Sequence, residues 1–79
     1  MIEAPLHAKT PHIVDARFME PPEPFVHTME MLDTLQPGEK MLLLLYREPH
    51  PLYQVLTRNG HAYSTELLPD GTFEILISR

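Results

Sequence analysis

The chain has 79 residues, 43% of them hydrophobic and 22% charged, and a formal net charge of −5. That length holds one domain with one modest core. With no cysteine, disulfides, zinc–thiolate sites and thiol chemistry are excluded, and the acidic balance argues against nucleic acid, whose non-specific affinity needs Lys and Arg on phosphates.

Residues 1–11 read as an irregular lead carrying Pro5 and Pro11, and residues 12–79 as a single domain. Met1 to Thr10 has no continuous apolar stretch of the secretory kind, and the longest apolar run, Met41 to Tyr46, is too short to span a membrane. These features fit a cytoplasmic protein. His12 to Arg17 is a first strand, rich in β-branched and small residues. A first helix runs from about Pro22 to Leu35: proline suits a first turn, and Gln36-Pro37-Gly38 ends the helix. Phe25, Met29, Leu32 and Leu35 form its expected core face, with Glu23, His27, Glu30 and Thr34 opposite. Met41 to Tyr46 is an uninterrupted apolar strand, expected at the centre of a sheet. A second helix, roughly Pro51 to Arg58, offers Leu52, Val55 and Leu56 to the core and closes on Asn59-Gly60. His61 to Leu68 and Thr72 to Ser78 are strands joined through Pro69-Asp70-Gly71, a hairpin signal, with Phe73, Ile75 and Ile77 turned inward.

The order β-α-β-α-β-β with short links is an α+β, two-layer α/β sandwich: a four-stranded mixed sheet with both helices on one face. The other face then carries part of the second strand and Leu76. Each large apolar side chain left in water there forgoes about 1.5–3 kcal/mol, so a cover is expected. The lead, with Ile2 and Leu6, is one candidate. A second copy of the chain, making a homodimer, is the favoured one.

This element order, with Asp15-Ala16-Arg17 and Pro22-Glu23-Pro24 at the first helix, resembles the TusA/SirA-like fold. In that family a Cys-Pro-x-Pro motif opens helix 1 and its cysteine carries a persulfide. Laying Pro22-Glu23-Pro24 on Pro-x-Pro puts Pro21 at the cysteine position, and proline has neither nucleophile nor N–H. The chain is more similar to an uncharacterised bacterial domain family of the same fold, domain of unknown function 2249, which lacks that cysteine. The similarity lies in Asp-x-Arg, in Pro-Pro-Glu-Pro, in Leu35-Gln36-Pro37-Gly38-Glu39 and in the run Arg47 to Tyr53. The resemblance implies the fold, a bacterial redox or respiratory setting, and no established activity.

Two groups of residues are candidates for function. Asp15, Arg17, Glu20, Pro21, Pro22, Glu23, Pro24, Arg47 and His50 lie at strand ends and helix starts, which such a fold gathers on one edge. They form a candidate interaction patch for a protein or a small molecule. His27 with Glu23 and Glu30 is a candidate metal set, weakened by the lack of a second histidine at a paired spacing. No nucleophile–base order, Gly-rich phosphate loop or nucleotide fingerprint is present, so no catalytic residue and no cofactor are assigned. The expected function is a non-catalytic binding or regulatory module. The alternatives are a metal-handling domain, or a sulfur-relay protein acting without its own thiol.

Overall fold

The computed structural model describes residues 12–79, so the lead lies outside the described residues, as does its expected role as a cover. Six elements follow in the anticipated order: β1 His12–Asp15, α1 Glu23–Thr34, β2 Lys40–Leu45, α2 His50–Arg58, β3 Ala62–Leu67 and β4 Phe73–Ser78. The sheet order is β1-β2-β4-β3. β1 runs parallel to β2, with Val14 beside Leu43, and β4 is antiparallel to both β2 and β3.

Registers fix which side chains share a face, because alternate residues point to opposite sides. Val14, Met41, Leu43, Leu45, Ile75 and Ile77 fall on one side and are buried together with Leu32, Leu52 and Leu56 of the two helices. Both helices therefore cover the same face. The apolar run of β2 becomes the central strand, with Met41 and Leu43 fully buried.

Helix α1 and its C-cap bury Leu32 and Leu35 and pack Met29 on the core as the apolar spacing suggests, but the N-terminal half departs from that face. The buried residues within the helix are Thr28 and Leu32, whereas Phe25 is 40% exposed. The Thr28 hydroxyl donates to the Pro24 carbonyl at 2.7 Å. A threonine satisfied within its own helix can enter a core, and that rotates the buried stripe away from Phe25. In α2, Leu52 and Leu56 are buried and Val55 is half-buried. Phe73 is likewise half-buried beside the fully buried Ile75 and Ile77.

The connections are fastened by polar contacts. Gly60 has φ +79° and donates to the Thr57 carbonyl, ending α2. In the β3–β4 hairpin, Gly71 has φ +92°, and the Asp70 carboxylate accepts from the Thr72 N–H at 2.9 Å. That bond holds the Asp70 carboxyl below its usual range. The Arg79 guanidinium donates to the Leu32 carbonyl in the last turn of α1, which also accepts the capping N–H of Leu35.

Candidate functional site

The two β-to-helix junctions repeat one pattern. Pro22-Glu23-Pro24-Phe25 opens α1, and Pro49-His50-Pro51-Leu52 opens α2. Each follows one of the two adjacent parallel strands, and Ala16 N–H donates to Leu44 O at 2.9 Å, carrying the pairing to the strand ends. The two helix starts therefore stand side by side at one edge of the sheet.

Between them lies a cavity of about 630 Å³, within the range of small-molecule sites. Its floor includes the core residues Leu43, Leu45 and Leu52. Five prolines line it: Pro21, Pro22, Pro24, Pro49 and Pro51. Met19, Phe25 and Tyr46 complete the apolar wall, and Arg17, Glu20 and Arg47 supply its charges. Tyr46 is 45% exposed, and Phe18, 83% exposed, packs edge-on against it at 5.8 Å.

The cavity has few backbone donors. Proline has no N–H. Glu23 and Val26 N–H groups bond to the Glu20 and Pro22 carbonyls, and those of His50 and Tyr53 bond to Glu48 and Pro49. Among the described residues, Phe25 and Leu52 are left as the unengaged donors of the first helical turns.

Arg17 and Arg47 differ in their commitments. Arg17 donates to both carboxylate oxygens of Asp15, at 2.9 and 2.8 Å, in a forked pair. The Arg17 hydrogen bonds hold the Asp15 carboxyl below its usual range. Neither Arg47 nor Glu20 makes a side-chain hydrogen bond or ion pair with any described residue.

The sequence-derived patch is thus partly gathered. Arg17, Glu20, Pro21, Pro22, Pro24 and Arg47 line the cavity, and Asp15 anchors Arg17 from outside it. Glu23 is exposed and outside the lining. His50 turns away: its Nε2 lies 3.4 Å from Glu48, and its ring packs edge-on against Tyr53. Tyr53 in turn stacks on Tyr63 at 4.5 Å and shares a 2.6 Å hydrogen bond with Thr65. Burial pushes the Tyr53 phenol above its usual value. This cluster clamps α2 to β3. The reading of the sequence missed Met19, Phe25, Tyr46, Pro49, Pro51 and Leu52, and the repeated Pro-x-Pro-apolar pattern is the signal that could have found most of them.

His27 Nδ1 lies 3.5 Å from Glu30, in a separate depression between β1 and α1 that Glu23 does not line. No group of three or more potential metal ligands occurs among the described residues. No described helix is long and apolar enough to cross a membrane.

Residues 13–79 match the family model described as "Uncharacterized conserved protein (DUF2249)". The chain belongs to this family. No curated protein matches it. Among solved structures it is similar to a SirA-like protein from Desulfitobacterium hafniense, with a TM-score of 0.74 and 16% identity over 84% of this chain and 93% of that one. That likeness establishes the SirA-like fold. In this cysteine-free member the start of α1 carries Pro21, Pro22 and Pro24.

Proposed function

We propose that this protein is a non-catalytic binding module whose site is the proline-walled cavity between the starts of α1 and α2. One observation carries the reading: a cavity of ligand size sits where strand ends meet helix starts, and its lining holds no Ser, Thr, Cys, His or Lys. The Glu20 carboxylate and the Tyr46 phenol in the lining have no hydrogen-bonded base among the described residues to activate them, while shape, apolar surface and the Arg47 guanidinium remain. The proposed setting is the bacterial cytoplasm, in redox or respiratory metabolism, as the family resemblance implies. A partner protein or small ligand would act through the same surface.

The test is chemical-shift mapping on the full chain with a captured partner or ligand. Changes are expected at residues 16–25 and 43–52. Changes gathered instead on the Pro69-Asp70-Gly71 hairpin would remove the cavity from the function. A second measurement addresses sulfur relay: after incubation with a cysteine desulfurase and cysteine, the intact mass is expected to stay unchanged, because persulfide formation needs a thiolate.

A further inference from the structure

We infer that the cavity selects a zwitterion on an apolar body: a ligand bearing both a carboxylate and an ammonium group beside an aromatic or large aliphatic side chain. The inference rests on reading the cavity as a binding site and adds the chemical class of its occupant. It begins from a charge balance. Three charged residues line the cavity: Arg17, Glu20 and Arg47. Arg17 is neutralised by its forked pair with Asp15. Two charges of opposite sign remain, Arg47 and Glu20, and they are not paired with each other or with any described residue.

They also come from different parts of the wall. Glu20 precedes α1, and Arg47 follows β2 and precedes α2. A simple anion would meet Arg47 but also face Glu20, and a simple cation would meet the reverse. A molecule carrying both groups satisfies both residues, with its carboxylate on the guanidinium and its ammonium on the carboxylate. The rest of the lining suits an apolar body. Phe25 and Tyr46 remain 40% and 45% exposed in the wall, and the proline rings add apolar surface without donors. With the first-turn amides of both helices mostly engaged or missing, ligand charge is met chiefly by side chains. Only the Phe25 and Leu52 amides stay free, one per helix, which is fewer donors than the usual anion-binding helix start offers.

Four probes of one ring system separate the alternatives: tryptophan, indole-3-propionate, tryptamine and indole, titrated into the full chain by NMR. Tryptophan is expected to bind about tenfold tighter than either half-molecule, the lower end of what a charge-assisted hydrogen bond supplies. Indole is expected to shift the same resonances more weakly. Arg47→Gln should erase the advantage of tryptophan over tryptamine, and Glu20→Gln its advantage over indole-3-propionate. Both residues are exposed, and the spectra themselves report folding. If indole binds as tightly as tryptophan, or indole-3-propionate is the tightest of the four, zwitterion selectivity is overturned while the cavity remains a binding site. If none of the four shifts a cavity resonance, the inference is overturned, and the cavity reading is decided separately by the chemical-shift map with a captured partner.

Discussion

Arg17 and Arg47 stand at the ends of neighbouring parallel strands, yet only one of them has a partner among the described residues. Asp15 ends β1 and Arg17 lies two residues on in the turn that follows, where its N–H also donates to the Asp15 carboxylate at 3.2 Å, so the fork closes locally. No acidic residue sits two before Arg47, where Leu45 goes into the core. The Asp15 carboxyl titrates below its ordinary value. Its contribution to stability is therefore full above the ordinary carboxylate range and disappears as pH falls through the lowered value. Asp15→Asn is expected to lower the urea midpoint slightly at pH 7 and by less at an acidic pH below the ordinary carboxylate range, the small size following from solvent exposure. Equal shifts at both pH values would show that the pair is not responsible. Tyr53→Phe is a sharper probe. It keeps the ring stacked on Tyr63 and removes the hydroxyl that donates to Glu48 at 3.0 Å and bonds Thr65. A loss of about 0.5–1.5 kcal/mol in chemical denaturation is expected.

Among the elements, the sequence was legible wherever one force decided the outcome. β2 reads as a central strand because the six consecutive apolar residues Met41 to Tyr46 fit nowhere else, and Asp70-Gly71 marks the β3–β4 hairpin because the glycine must reach positive φ. The face of α1 was legible at Met29, Leu32 and Leu35 but not in its N-terminal half, where hydropathy ranks Phe25 above Thr28. What reversed the ranking was a local hydrogen bond to Pro24, together with a cavity wall that takes the Phe25 ring. The site was half legible for a related reason. Proline and charge at helix starts are visible in the chain, but the cavity forms only when two separate junctions meet, and His50 was lost to the Glu48–Tyr53 cluster. The two helices also differ in how much each can yield. Leu56 is fully buried in the core, whereas Val55 beside it is half-buried. Leu56→Ala is expected to destabilise by about 2–5 kcal/mol and Val55→Ala by clearly less, as read from denaturation midpoints. In a domain this small the first loss is a large part of the total stability.

For the molecule as a whole, the face away from the helices sets the remaining question. Registers place its side chains in rows across the strands. One row is Ile13, Leu42, Leu76 and Ser64, and the next is Asp15, Leu44, Glu74 and Glu66. Leu42 is 2% exposed although it lies outside the core cluster, Ile13 is 42% exposed, and Leu44 and Leu76 are half-buried. The apolar strip is therefore narrow and borders three carboxylates. We propose a second copy of the chain as its cover, related by a two-fold axis, the commonest closed arrangement. The acidic row gives this association a sign. Carboxylates brought near each other repel at low ionic strength, so dimerisation should tighten as salt rises from about 0.01 to 0.15 M and the screening length falls from roughly 30 to 8 Å. Sedimentation equilibrium at both salt concentrations measures this directly. Ile13→Glu, at an exposed position, is expected to abolish the dimer without unfolding the protein. The same experiment on a form lacking residues 1–10 distinguishes the other cover: association that strengthens after truncation would show the lead competing for the face. A full-length monomer at both salt concentrations, unchanged and equally stable after truncation, would eliminate both covers.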